Sequence, residues 1–137
     1  SYGVDARAEP GVVEAAMPES HLEFLERLER FHRWDGYLFV HAGIRPGVPW
    51  EQQSDEDLFW IREEFLRRPH GMPETIVFGH TPGRQVLVDL PYKIGIDTGL
   101  VYGGVLTAIE LPDRLLHQVA AGERQVRRKP LPVGRRR

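Results

Sequence analysis

Two four-residue runs, Tyr37-Leu38-Phe39-Val40 and Thr75-Ile76-Val77-Phe78, constrain this chain most. Each is short, almost wholly apolar and bounded by turn formers, the pattern of a strand covered on both faces. Any fold that uses them must supply cover above and below a sheet. The first run leads into His41-Ala42-Gly43 and the second into Gly79-His80-Thr81-Pro82. A third strand closes on an aspartate in Ile96-Asp97-Thr98-Gly99. Ligand sites of open sheets collect at the carboxyl ends of strands, and small neighbours let another group approach the backbone. Imidazole is a good ligand for first-row metals, so His41 and His80 could share one ion. They could equally be polar residues that hydrogen-bond their own turns, and the residues alone leave both readings open. The other four histidines are expected to be structural or surface groups. His21 and His32 fall on a predicted helix, His70 lies between Pro69 and Gly71, and His117 sits in a late strand.

The remaining elements follow from periodicity. Ser20-His21-Leu22-Glu23 has the form of a capping box. Leu22, Leu25, Leu28 and Phe31 follow three apart, with Phe24 four before Leu28, which predicts an amphipathic helix ending near Arg33. Ser54-Asp55-Glu56-Asp57 offers a second helix cap. Behind it Leu58, Ile61, Phe65 and Leu66 predict one helix that stops before Pro69. Residues 85–90 and 93–96 flank Pro91-Tyr92 as a hairpin, and residues 105–111 and 115–119 flank Pro112-Asp113. Residues 1–17 read as loop or a short helical piece.

At 137 residues the chain has about one domain's length. It carries no cysteine, which removes disulfides, thiolate catalysis and Cys-based zinc sites together. No apolar stretch approaches the 18 or so residues of a membrane span, and no basic-then-apolar leader is visible. A cytoplasmic location is the expectation, with no membrane and no nucleic-acid partner. The net charge of −2 hides a split. Residues 121–137 hold seven basic side chains and one acidic one, against eleven and nineteen in residues 1–120. The basic segment reads either as a site for anionic partners or as a solvated, flexible tail that Pro130 and Pro132 keep extended. Arg62, in Trp60-Ile61-Arg62-Glu63, carries a planar fork suited to phosphate. A helical arginine among glutamates is also a common surface ion-pair partner. No P-loop, dinucleotide fingerprint or nucleophile elbow is present.

Five segments occur in a telling order: His-Ala-Gly at 41–43, Asp-Leu-Phe-Trp-Ile-Arg-Glu at 57–63, Gly-His-Thr-Pro at 79–82, Ile-Asp-Thr-Gly at 96–99 and Gly-Gly-x-Leu-Thr-Ala at 103–108. Together they resemble the C-terminal half of a bacterial serine/threonine protein phosphatase of the calcineurin-like metallophosphoesterase family, over residues 22–111. The resemblance implies an α+β fold of α/β/β/α type, a β-sandwich with a mixed sheet flanked by helices, around a site for two divalent ions (Mn, Fe or Zn). It implies that His41 and His80 are metal ligands and that Arg62 clamps the substrate phosphate. Asp97 is expected to brace a turn rather than to bind metal, and Tyr102 lies near the rim of the site without an assigned role. The family's first-half motifs, Asp-x-His-Gly, Gly-Asp-x-x-Asp-Arg-Gly and Gly-Asn-His-Glu, do not occur in these 137 residues. With Ser1 at the start, residues 1–120 are therefore expected to be the C-terminal portion of a metallophosphoesterase domain, followed by the basic tail at 121–137. Such a chain would hold at most one partial metal site and would be inactive alone. The full-length enzyme would hydrolyse phosphoserine or phosphothreonine in proteins, or a small phosphoester. A dinucleoside polyphosphate hydrolase of the same family and a non-catalytic interaction module are the alternatives. With its first-half sheet missing, the isolated chain is expected to self-associate as a homodimer.

Overall fold

The structure, a computed structural model, describes residues 2–5 and 7–132. Helices α1 (Pro10–Ala16) and α2 (Glu19–Glu26) come first and bury none of their residues. A five-stranded mixed sheet follows, built from β1 (Phe31–Trp34), β2 (Tyr37–Val40), β3 (Thr75–Phe78), β4 (Leu87–Asp89) and β5 (Lys93–Gly95). Its order is β1-β2-β3-β5-β4. Strands β2, β3 and β5 run parallel, while β1 and β4 are antiparallel edges. The crossover from β2 to β3 carries α3 (Asp55–Trp60) and α4 (Glu63–Arg67). A second, antiparallel sheet contains β6 (Val105–Glu110), β7 (Leu115–Ala120) and β8 (Arg127–Pro130).

Alternation along the parallel strands divides the core into two layers. Leu38, Val40, Ile76 and Phe78 face the helices and pack with Leu58, Ile61 and Phe65. Tyr37, Val77 and Ile94 face the other way, onto Leu116 and Leu131, with Phe39, Ile109 and Leu111 around them. All four residues of β3 are buried, as a strand with cover on both faces requires. Lys93 of β5 is buried as well. Its ammonium donates to the carbonyls of Phe65, Leu66 and Arg68 and so caps the end of α4.

Five expectations change. The first helix ends at Glu26, and Phe31–Trp34, with His32, forms β1. Asp35 and Gly36 both have positive φ, 46° and 76°, so an Asp-Gly turn of the hairpin type folds these residues back on β2. Ser20 caps nothing, because the N-cap is Pro18. The second predicted helix breaks into α3 and α4 at Ile61–Arg62. Within the basic tail, Arg127–Pro130 pairs with β7 in register, Arg128 opposite His117, rather than trailing free. Residues 133–137, the end of that tail, lie outside the described residues. The argument for self-association also loses its basis, since this one chain supplies strands of both sheets and covers most of the inner face itself.

Candidate functional site

The parallel register sets Phe39 beside Val77, which brings the ends of β2 and β3 level. His41 and His80 follow those ends, and the Gly79 N–H donates to the His41 carbonyl at 2.8 Å. His80 has φ of 62°, and the Thr81 N–H reaches the Gly79 carbonyl at 2.6 Å, closing a γ-turn around it. This left-handed backbone costs on the order of 1–3 kcal/mol in a non-glycine residue, and such strain clusters at functional sites. It turns the imidazole toward His41. The His41 Nε2 and His80 Nδ1 atoms lie 3.2 Å apart. On the opposite edge of the ring, Arg62 Nε donates to His80 Nε2 at 3.2 Å. Trp60 stands edge-on to His80 with centroids 5.6 Å apart, and Phe59 approaches His41 at 6.5 Å.

These contacts assign the protons. Arg62 can only donate, so His80 Nε2 must be a lone pair. His80 then carries its proton at Nδ1 and gives it to His41 Nε2. Burial, followed by the Arg62 charge and the neighbouring His41, lowers the His80 pKa and favours neutral imidazole.

The donor set fits one ion in part. A cation at ~2.1 Å from each facing nitrogen would see a 3.2 Å pair under an angle of about 99°, between octahedral and tetrahedral values. Among the described residues no group of three or more His, Cys, Asp or Glu side chains is placed to hold a metal. His41 and His80 thus present two nitrogens that could face one ion, and among the described residues no third His, Cys, Asp or Glu joins them.

Arg62 reaches His80 because the helical layer breaks there. Ile61 stays buried in the core while Arg62, with φ −131° and ψ −101°, turns out as the N-cap of α4. Arg45 spans that break, pairing with Asp57 of α3 at 2.6 Å and with Glu64 of α4 at 2.7 Å. Ser54 Oγ caps α3 by accepting from the Asp57 N–H and donates to the Asp57 carboxylate. Burial pushes the Asp57 pKa up, but the hydrogen bonds from Arg45 and Ser54 outweigh it and hold the carboxyl below its usual range. The Arg45–Asp57–Glu64 brace was missed in the sequence; only the Ser-x-x-Asp cap hinted at it. Asp97 Oδ1 accepts from the Gly99 N–H at 3.0 Å and braces that turn. Tyr102 lies in a short 3-10 turn, Leu100–Tyr102, with its ring exposed. A hollow of about 440 Å³ opens beside His41, lined also by His32, Phe39, Phe59, Val77 and Ile96.

No family model matches the chain. It is 49% identical over 51 residues to the symmetrical bis(5'-nucleosyl)-tetraphosphatase of Janthinobacterium sp. strain Marseille, a stretch covering 37% of this chain and 18% of that protein. It is 29% identical over 107 residues to the asymmetrical bis(5'-nucleosyl)-tetraphosphatase PrpE of Halalkalibacterium halodurans, covering 66% of this chain and 43% of the relative. A Bacillus thuringiensis PrpE matches at 29% over 111 residues, 69% and 45% of the two chains. The chain therefore spans less than half the length of these curated relatives. Among solved structures, a protein provisionally described as a diadenosine tetraphosphatase superposes with a TM-score of 0.67 at 24% identity, over 81% of this chain and 60% of that one. None of these names is that of a protein phosphatase. Over part of its length the chain is similar to bis(5'-nucleosyl)-tetraphosphatases, and its mixed-sheet α+β fold is that of the diadenosine tetraphosphatase structure.

Proposed function

We propose that this chain is part of a metal-dependent phosphoesterase that hydrolyses dinucleoside polyphosphates. The observation that carries the reading is the meeting of His41 Nε2 and His80 Nδ1 at 3.2 Å, with Arg62 on the same ring. The names of the partial relatives support dinucleoside tetraphosphate over phosphoprotein as the substrate, which reverses the order expected from Trp60-Ile61-Arg62-Glu63.

In this reading His41 and His80 hold one divalent ion (Mn, Fe or Zn) by their facing nitrogens, and the rest of a two-metal site comes from residues outside this chain. Divalent ions, when bound, supply Lewis acidity toward a phosphoryl group and its attacking water. Two facing lone pairs require His80 to carry its proton at Nε2. Arg62 then loses its acceptor there, and its guanidinium is free to take the non-bridging phosphate oxygens and offset their growing charge. Strand ends fix both imidazoles, while the Arg45 brace fixes the break that presents Arg62.

The test is turnover of diadenosine tetraphosphate and of a phosphoserine peptide by the product of the complete reading frame. The account expects metal-dependent hydrolysis of the dinucleotide, with kcat/KM lowered about 10²–10³-fold in Arg62→Ala. Preference for the phosphopeptide would restore the protein phosphatase reading. The 137-residue chain alone is expected to hydrolyse neither substrate measurably, because two imidazoles without a bridging carboxylate cannot hold two ions.

A further inference from the structure

A second hollow, of about 480 Å³, lies past the His80 turn between residues 82–84 and the loop 98–105. Its volume falls within the roughly 300–1,000 Å³ of small-molecule sites. Pro82 is two residues from His80, so their Cα atoms are at most about 7.6 Å apart. The two walls are tied together, since the Gly83 N–H donates to the Asp97 carbonyl at 3.0 Å. The second wall is itself closed tightly. Tyr102 and Gly104 N–H groups both donate to the Gly99 carbonyl at 2.9 Å, and Thr98 Oγ1 donates to the Val105 carbonyl at 2.6 Å. A side chain at Gly104 would overlap the Thr98 carbonyl oxygen, so the loop keeps this shape only with glycine there.

This frame presents three groups. Tyr102 is 80% exposed, an aromatic ring held out on a fixed turn rather than spent in the core. Tyr102 Cδ2 and Pro82 Cβ come within 3.7 and 3.8 Å of the position a Cβ on Gly99 would take, so the ring and the pyrrolidine flank one glycine. Arg84, exposed on the first wall, makes no ion pair among the described residues, unlike Arg45, Arg67, Arg68 and Arg127. A rigid aromatic face with a cation beside it suits a planar base joined to a phosphate, because every base has a π-face and stacking needs no hydrogen-bond match.

We propose that this hollow is a nucleoside subsite: Tyr102 stacks the base and Arg84 pairs with a phosphate of the chain that leads back to His41, His80 and Arg62. The proposal rests on the dinucleoside polyphosphate reading and deepens it, since it gives one nucleoside of the substrate a place. It also gives Tyr102 a role that neither the fold nor the metal ligands require.

Calorimetric titration of the 137-residue chain with ADP and with inorganic pyrophosphate tests it, because the two probes differ by the nucleoside. Stacking on one aromatic ring is expected to make ADP about 5- to 150-fold the tighter ligand. Tyr102→Ala should erase that difference, Tyr102→Phe should keep it, and Arg84→Gln should weaken both probes. Tyr102 is exposed, so these variants should fold as the parent does, which their far-ultraviolet circular dichroism checks. Equal binding of ADP and pyrophosphate, or ADP binding unmoved by Tyr102→Ala, would overturn the subsite. Its fate is separable from that of the hydrolase reading. Tyr102-dependent ADP binding without dinucleotide turnover by the complete reading frame would sink the hydrolase and leave the subsite standing. Turnover with Tyr102-independent ADP binding would do the reverse.

Discussion

Gly43 has φ of 154°, and a Cβ there would lie 2.7 Å from Cγ of Phe65, inside the ring's van der Waals envelope. The glycine of His-Ala-Gly is thus required by packing beneath the site rather than by chemistry in it. Gly43→Ala is expected to destabilise the chain by about 2–4 kcal/mol, through backbone strain and an overpacked Phe65, as read from the urea midpoint. His70 is buried too, beside the same Phe65. It accepts from the Met72 N–H at Nδ1 and donates from Nε2 to the Tyr92 carbonyl, both near 3 Å, which fixes one neutral tautomer. Burial is the main cause of its lowered pKa, with Lys93 adding to it. Between the lowered folded pKa and the unfolded value near 6.5 the unfolded chain binds more protons, so stability falls as pH drops through that window and is fully present above it. Urea unfolding at pH 7.5 and pH 5.5 should show the loss, and His70→Gln should show a smaller one. An equal loss in the variant would place the pH dependence elsewhere.

At the scale of elements, the break between α3 and α4 matters most, and Ser54 caps the helix that leads up to it. Ser54→Ala removes the cap on α3 and one partner of Asp57, at an expected cost of about 1 kcal/mol measured by thermal unfolding. The strands that carry the histidines were legible because parallel strands with two covered faces leave continuous apolar runs. Both proline turns, at 91 and 112, were legible too. Strand β1 was not, because Phe31 continues the three-residue spacing of Leu22, Leu25 and Leu28, and helix periodicity overran it. The Asp35-Gly36 pair was the deciding local signal, and the structure uses it as a hairpin turn. The apolar stripe that periodicity picked out is not a packed face: Phe24 and Leu25 of α2, and Leu28 just beyond it, stand exposed. The break at Ile61–Arg62 left no mark in the sequence, since neither Gly nor Pro is there. It follows from tertiary contacts: Ile61 goes into the core, Arg62 goes to His80, and Arg45 joins the pieces across 12 and 19 residues of chain.

For the whole molecule, three layers set the site at one edge. Helices α3 and α4 cover one face of the five-stranded sheet, β6–β8 covers the other, and the parallel strands deliver His41 and His80 to the same rim. Among the described residues no helix is long and apolar enough to cross a membrane. The order of motifs made this arrangement legible, because those at 41–43, 79–82 and 96–99 follow strands of the five-stranded sheet, 57–63 spans the helices on it, and 103–108 opens β6 of the facing sheet. The partner sheet was less legible: Arg127, Arg128 and Lys129 are all charged, and the segment resembles a solvated tail until β7 is there to pair with it. The central claim is that His41 Nε2 and His80 Nδ1 hold one divalent ion. Long-range ¹H–¹⁵N spectra of the imidazole rings during a Zn²⁺ titration of the 137-residue chain test it directly. The account predicts that these two ring nitrogens move together and saturate at one ion per chain, with both shifts lost in His80→Ala. Zn²⁺ that moves His21, His32 or His117 instead, or that leaves the facing nitrogens of His41 and His80 in place, would contradict it.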